Sequence, residues 1–179
     1  MSTPPPLQTT WDPLKAEANI AKHGVTFAQA ATVLLDPLHV SVFDAAHSQD
    51  EERWFTLGTS SEGKLLAVSH TYHQPEDSDQ AKVRIISARA PAVRGRTPIG
   101  TIMSNTQTPP DDEMPAEIDF SGGTRGKFYR PGATLNLPVY LEAEVQSRLT
   151  RLANAKGVDF SALVNALLRK DIELIEMAK

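Results

Sequence analysis

The chain has 179 residues, of which 40% are hydrophobic and 22% are charged, so it can fill one large packed domain or two small ones. The absence of cysteine excludes disulfides, thiol catalysis and cysteine-ligated zinc, and no apolar run is long enough to cross a bilayer. The net charge of −4 would disfavour nucleic-acid binding if it were evenly spread. The first ten residues lack a basic and an apolar region, so we expect no secretory signal and a cytoplasmic protein.

The sequence predicts two helices near its start. Asp12-Pro13 is typical of an N-cap followed by the first helical residue, and Gly24 is typical of the residue just past a helix. Within this helix, Ala16 and Ile20 have the spacing of one apolar face. Thr26 can cap a second helix, which a later Asp-Pro pair ends.

Four strand-like runs follow the helices, at positions 39–43, 53–59, 64–72 and 82–87. A polar turn ending in glycine separates the second run from the third and predicts a hairpin there. Two helices followed by a meandering sheet indicate an α+β fold for a first domain, residues 1–96.

Residues 97–132 have a different composition. The part before residue 119 is rich in Pro, Thr and acidic residues, which is typical of a linker. The acidic stretch Asp111–Asp119 is followed at once by Arg125, Lys127 and Arg130. We therefore expect a charged connector between two domains of different chemistry.

Residues 133–179 predict one short strand and two amphipathic helices. The strand covers Ala133–Leu137 and ends at a proline, and leucine and valine then recur at helical spacing up to Gly157. Asp159 or Ser161 caps the last helix. A unit of this size buries too little apolar surface alone, so we expect it to form an intertwined homodimer or a higher oligomer.

This C-terminal stretch resembles the BrnA-type and CopG-like antitoxins, which are ribbon-helix-helix (β-α-α) repressors. The motifs FSGG at 120–123, RGKFYR at 125–130 and DIEL at 171–174 carry the resemblance. It implies a dimer whose paired strands enter the major groove of operator DNA. Strand alternation then directs Leu135 and Leu137 inward, and the DNA-contacting candidates are Thr134, Asn136, Arg130 and Ser161. A helical dimerisation module without DNA binding stays open as an alternative.

The first domain carries polar side chains at the ends of its predicted strands, without a recognisable triad or metal motif. They are Glu52, Arg53, His70, Tyr72, Arg84 and Arg89. Such groups can cleave a phosphodiester if a base activates the ribose 2′-hydroxyl, arginine stabilises the phosphate and an acid protonates the leaving oxygen. The alternative is that they form ion pairs on the surface of a small sheet.

Three motifs in this domain resemble the BrnT family of toxin ribonucleases over roughly residues 11–92. They are WDPLKAEANIAKHGVTFAQAATVLLDP, DEERWFTLG and VRIISAR. The resemblance implies a RelE-like fold and RNA cleavage without a metal or other cofactor. It implies phosphate contacts from Arg84 and Arg89, proton transfer by Glu52 or His70, and Arg53 in the same site. His23 is interpreted as structural, because it ends a helix where an imidazolium is stabilised.

The family usually continues into a further helix after the last motif. Here Pro91, Gly95 and Pro98 disfavour that helix, so part of the usual catalytic surface is expected to be lost.

A toxin followed by its antitoxin predicts a self-inhibited fusion. We expect the acidic stretch to lie against the basic RNA surface and the next motifs to dock as an extended strand or loop, within one chain or between chains. The candidates for neutralisation are Phe120, Arg125, Lys127, Phe128 and Tyr129. Three functions stay open: a self-inhibited ribonuclease and repressor that binds RNA and operator DNA, a repressor with an inert toxin half, and a plain interaction module.

Overall fold

A computed structural model of the chain describes residues 5–48, 51–76, 80–91, 114–115 and 117–178. They form two compact units, Met1–Pro138 and Val139–Lys179. The strands are β1 Leu7–Thr10, β2 Val40–Phe43, β3 Arg53–Thr59, β4 Leu65–His73, β5 Lys82–Arg89, β6 Thr124–Arg125 and β7 Leu135–Asn136. The helices are α1 Pro13–His23, α2 Phe27–Ala31, α3 Ala143–Lys156 and α4 Phe160–Met177.

The two predicted helices at the start of the chain are confirmed at their caps. The Asp12 carboxylate accepts a hydrogen bond from the Lys15 amide at 3.1 Å, and Gly24 ends α1 with a φ of 65°. The Thr26 hydroxyl accepts from the Gln29 amide at 3.0 Å and begins α2. This second helix gives way to a 3-10 turn at Thr32, whose hydroxyl donates to the Gln29 carbonyl.

All seven strands belong to one sheet, in the order β6-β2-β3-β4-β5-β1-β7. Strands β2 to β5 form an antiparallel meander, as predicted, while β1 lies parallel to both β5 and β7. The sequence did not predict β1 or β6, because each is too short to show a pattern of its own. The chain therefore has a mixed fold of helices and one sheet, in agreement with the predicted class at that level.

A bulge in β5 changes which side chains share a face of the sheet. Ser87 lies opposite Ser69 and Ile85 opposite His70, so Ile86 has no partner on β4. After Ile86, side chains of β5 that alternation would place on one face of the sheet therefore lie on the other face.

Each face of the sheet has its own apolar core. On the helix side, Phe27 and Leu34 pack with Leu66, Val68 and Ile85. On the opposite side, a smaller cluster joins Phe55 and Ala67 to Met114, with Ile118 and Phe120 packed against it. Residues after the predicted first domain therefore cover the second face.

In the second unit α3 contacts α4, and each helix has one buried apolar side chain, Ala153 and Leu163. Gly157 ends α3 with a φ of 63°, and the Asp159 carboxylate caps α4 at the Ala162 amide. Much of the apolar surface stays exposed, including Leu167, Leu168, Ile172, Leu174, Ile175 and Met177 of α4. Within the described ranges, no helix has the length and hydropathy needed to span a bilayer.

Candidate functional site

Three arginines lie on the face of the sheet that faces away from the helices. Arg53, Thr71 and Arg84 form one row across β3, β4 and β5. Arg89 lies opposite Ala67, whose side chain belongs to the core of the same face. Because five positions separate Arg84 from Arg89, simple alternation would place them on opposite faces, and the β5 bulge returns Arg89 to the face of Arg84.

Arg84 and Arg89, the two arginines of β5, each contact a polar group. The Arg84 guanidinium donates to the carboxylate of Glu51, and Arg89 donates to the backbone carbonyl of Pro115. The structure therefore brings Arg53, Arg84 and Arg89 to one face, and residues after position 113 cover that face near Arg89.

A cleft of about 940 Å³ opens at the end of the sheet where β3 begins, β4 ends and β5 begins. Its polar walls include two of the predicted residues, Glu52 and Arg84. They also include Lys127, which is one of the neutralisation candidates, and four residues that the sequence did not predict as site residues: Glu51, Thr71, His73 and Lys82. His73 pairs in register with Lys82 across the β4–β5 connection. His73 is the last residue of β4 and Lys82 is the first residue of β5, and these strand-end positions were the available signal for both.

His70 lies apart from the arginines, on the helix side of the sheet. Its side chain is fully buried, and its Nε2 lies 2.8 Å from the Thr56 hydroxyl. Burial lowers the pKa of His70 to about 4, and the hydrogen bond to the Thr71 carbonyl acts in the opposite direction. The imidazole is therefore neutral at pH 7 and, in this structure, does not line the cleft that holds Glu52 and Arg84.

Four aromatic side chains, His39, Trp54, His70 and Tyr72, surround the ring of Phe128, and we call them the aromatic box. The ring centroid of Phe128 lies 4.5 Å from that of Tyr72, 5.1 Å from His70, 5.4 Å from Trp54 and 6.2 Å from His39. Phe128 is 3% exposed, so a residue from the predicted connector completes the core of the first unit.

Phe128 belongs to a longer stretch of the first unit, residues 114–115 and 117–138, which we call the docking segment. The Gly126 amide donates to the His39 carbonyl at 2.7 Å, and the Phe128 amide donates to His39 Nε2 at 3.2 Å. The other ring nitrogen of His39 lies 2.7 Å from the Asp36 carbonyl, which assigns the proton to Nδ1. Desolvation lowers the pKa of His39, so the neutral ring can accept from the segment.

The remaining neutralisation candidates also lie in the docking segment. Arg125 is exposed on β6, which pairs antiparallel with β2. The Lys127 ammonium lies 4.4 Å from the ring centroid of Trp54, and Phe120 packs against the second core. Tyr129 is half-buried, with its amide bonded to the Gly126 carbonyl.

The strand predicted to read DNA pairs with β1 of its own chain. The Leu7 amide donates to the Thr134 carbonyl at 2.9 Å, and the Thr9 hydroxyl donates to the Asn136 carbonyl at 2.5 Å. The side chains of Thr134 and Asn136 are exposed, as alternation predicts, whereas Leu135 is half-buried against the helix-side core. Leu137 is exposed.

The other two DNA-contacting candidates lie elsewhere. The Arg130 guanidinium donates to the Tyr72 hydroxyl at 2.8 Å and to the Gln74 side chain at 2.6 Å. Ser161 is exposed in the first turn of α4, in the second unit.

Two expectations fall on positions outside the described residues. They are the loss of a further helix after Pro91 and the placement of the acidic positions 111–113. Across the parts of the chain that the structure describes, no group of three or more metal-binding side chains comes together.

Comparison with known proteins identifies one part of the chain. Residues 11–92 match the family described as "Ribonuclease toxin, BrnT, of type II toxin-antitoxin system". A solved structure similar to the chain is the 1.1 Å crystal structure of the Brucella abortus ribonuclease toxin, BrnT. The two share 22% identity, over 49% of this chain and 99% of that one, with a TM-score of 0.34. No curated protein matches the chain.

Proposed function

Because residues 11–92 carry a domain of the BrnT toxin family, we propose that this chain is a type II toxin–antitoxin fusion. In this proposal the first unit cleaves RNA, the docking segment suppresses that cleavage, and residues 133–179 dimerise and repress transcription. The observation that carries the proposal is the burial of Phe128 in the core of the first unit, although it lies outside the matched region.

The polar groups that line the cleft support a reaction in which side chains alone cleave the RNA. In the proposed reaction the Glu52 carboxylate removes the proton of the ribose 2′-hydroxyl, and that oxygen attacks the adjacent phosphorus. Arg84 and Lys82 stabilise the added negative charge, while the bond from phosphorus to the 5′ oxygen breaks. His73 protonates the leaving oxygen, which gives a 2′,3′-cyclic phosphate and a free 5′-hydroxyl.

The docking segment can suppress this reaction in two ways. Lys127 and Phe128 form part of the wall of the cleft, so they occupy space that a substrate would need. On the arginine face, the Pro115 carbonyl engages Arg89, and Met114 covers the neighbouring sheet. Covalent linkage keeps the segment at about millimolar effective concentration, so the inhibition is constitutive.

The test is an RNA-cleavage assay on the full chain carrying Phe128→Asp, since a carboxylate cannot enter the aromatic box without a large desolvation cost. We expect cleavage of single-stranded RNA to rise at least about tenfold over the wild type, and to fall again when Arg84→Ala is added. Circular dichroism verifies that each variant is folded, and Gly123→Arg, which also dislodges the segment, replaces Phe128→Asp if needed.

A lack of cleavage by both dislodged variants would contradict the ribonuclease proposal. The chain would then be a repressor with an inert toxin half, the second function that we consider.

The repressor part of the proposal is supported by exposed groups in residues 133–179. Asn136 of β7 and Thr134, the residue before this strand, present their side chains to solvent, and Asn can make a bidentate contact with adenine. The apolar surface of α4 is too large for an isolated unit and suits a second copy of the chain.

Its test is binding of the full chain to the DNA upstream of its own reading frame, titrated against salt. We expect sequence-selective binding that weakens with salt and that Asn136→Ala reduces by about tenfold. Asn154→Ala, an exposed asparagine on α3, is the matched control and leaves binding unchanged. If the DNA affinity depends neither on the DNA sequence nor on Asn136→Ala, the ribbon-helix-helix interpretation is excluded.

A further inference from the structure

We propose that the aromatic box is the binding site for an unstacked base of single-stranded RNA, and that Phe128 inhibits the domain by occupying this base site. This inference rests on the proposed ribonuclease function and specifies how its substrate is held. The other possibility for the box is an ordinary core pocket, which would bind nothing once Phe128 was removed.

The arrangement of the rings suits a flat aromatic guest. Tyr72 lies at 33° to the Phe128 ring with 4.5 Å between centroids, so it offers a partly parallel stacking surface. Trp54 and His70 present near-perpendicular rings at 79° and 80°. A pyrimidine base has nearly the size of a phenyl ring and stacks on aromatic side chains in the same way.

The walls of the box carry more hydrogen-bonding groups than a pocket for phenylalanine needs. The indole Nε1 of Trp54 is buried and has no hydrogen-bond partner among the described residues. His39 Nε2 accepts only the Phe128 amide among the contacts described, so it becomes an open acceptor when the segment leaves. A phenyl ring uses neither group, whereas the edge of a base offers both acceptors and donors.

The box is continuous with the cleft that holds the proposed chemistry. Trp54, Tyr72 and Phe128 line that cleft together with Lys82 and Arg84. A base in the box would therefore leave its ribose and phosphate beside the cationic groups. Phe128 and the neighbouring Lys127, whose ammonium lies over Trp54, fill this same path in the present structure.

The experiment measures binding of a labelled, fully 2′-O-methylated oligouridine of about eight nucleotides to the full chain by fluorescence anisotropy. The methyl groups remove the attacking hydroxyl, so binding is measured without cleavage. Phe128→Ala opens the box, and Phe120→Ala is the matched control, since it removes a phenyl ring of the same segment on the opposite face of the sheet. An abasic oligomer of equal length has the same backbone charge and no bases.

We expect Phe128→Ala to bind the oligouridine at least about tenfold more tightly than Phe120→Ala does, because stacking of one base on an aromatic side chain changes the affinity by at least about this factor. We expect no such difference in affinity with the abasic oligomer, and we expect the tighter binding of Phe128→Ala to be lost when Tyr72→Ala is added. If Phe128→Ala does not unfold cooperatively, Phe128→Val replaces it.

Equal binding by the Phe128 and Phe120 variants, or equal binding of the abasic oligomer, would overturn the base site. A dislodged variant that binds the oligouridine but does not cut unmodified RNA would contradict the proposed ribonuclease and leave the base site intact. The two ideas can therefore fail separately.

Discussion

Asn19 shows how a single polar residue can fix a helix to a sheet. The apolar spacing predicts Ala16 and Ile20 on the inner face of α1, yet Ile20 is 47% exposed and Asn19 is buried. The Asn19 amide donates to the carbonyls of Val25 and Ala88 at 2.9 Å each, and its oxygen accepts the Ala88 amide at 3.0 Å. The prediction for Ile20 was wrong because hydrogen bonds, rather than apolar area, determine the orientation of this helix.

We therefore expect Asn19→Ala to lower the free energy of unfolding by about 3 kcal/mol, because it leaves buried backbone groups of Val25 and Ala88 without partners. Urea denaturation measures the change. Glu17→Ala, at an exposed position of the same helix, serves as the control and changes the free energy by less than about 0.5 kcal/mol. A loss below about 1 kcal/mol for Asn19→Ala would show that these bonds do not hold the helix.

His70 makes the stability of the first unit depend on pH. Its pKa is about 4 in the folded chain and near the usual 6.5 when unfolded, so protonation favours the unfolded state. Stability is highest above pH 6.5 and falls as the pH drops towards 4, by about 3 kcal/mol from this group. We expect His70→Gln to lack this loss, so that the gap in unfolding free energy between wild type and variant narrows by that amount between pH 7 and pH 4. A constant gap would contradict the burial of a neutral imidazole.

Two glycines of the docking segment provide a matched test of how closely β6 must approach β2. A Cβ on Gly123 would clash with a methyl carbon of Val40 on β2, whereas a Cβ on Gly122 would meet nothing within 4 Å. We expect Gly123→Ala to weaken the pairing of β6 with β2, to speed amide hydrogen exchange in residues 123–128, and to raise RNA cleavage. Gly122→Ala should behave as the wild type in both assays. Equal exchange in the two variants would show that close contact at β6 does not hold the segment.

The sequence predicts the helices and the meander well because their signals are local. Asp12, Thr26 and Asp159 mark helix starts by capping, and the hairpin strands show their own alternation. Strands β1 and β6 could not be predicted, since their pairing is determined by distant partners. The sequence also could not predict that Arg84 and Arg89 share a face of the sheet. Their common orientation depends on the bulge in β5, which is seen only in its pairing with β4.

The candidate site was also predictable only in part, because only some of its residues belong to elements with local sequence signals. Glu52 and Arg84 reach the cleft from strand ends that the sequence marks, whereas Lys127 and Phe128 come from a segment whose docking position has no local signal. His70 was a candidate for proton transfer because histidine can exchange a proton near neutral pH, and only the tertiary structure shows that its side chain is buried in the core.

We expect the chain to self-associate through the apolar surface of α4. Ile172→Glu places a charge within this surface and should convert the dimer to monomers, as measured by sedimentation. Ala166→Glu introduces the same charge at another exposed position of α4 and should leave the dimer intact. Dimers of unchanged stability in Ile172→Glu would exclude α4 as the interface.

The position of Phe128 in the chain also has a consequence for synthesis on the ribosome. The last residue of the region that matches the BrnT family emerges 36 residues before Phe128, which corresponds to roughly 2–7 seconds of translation at about 5–20 residues per second. During this interval the nascent domain lacks the ring that fills its core, and β1 lacks β7. Each new copy therefore passes through a brief period in which the aromatic box is empty, before Phe128 of the same chain fills it.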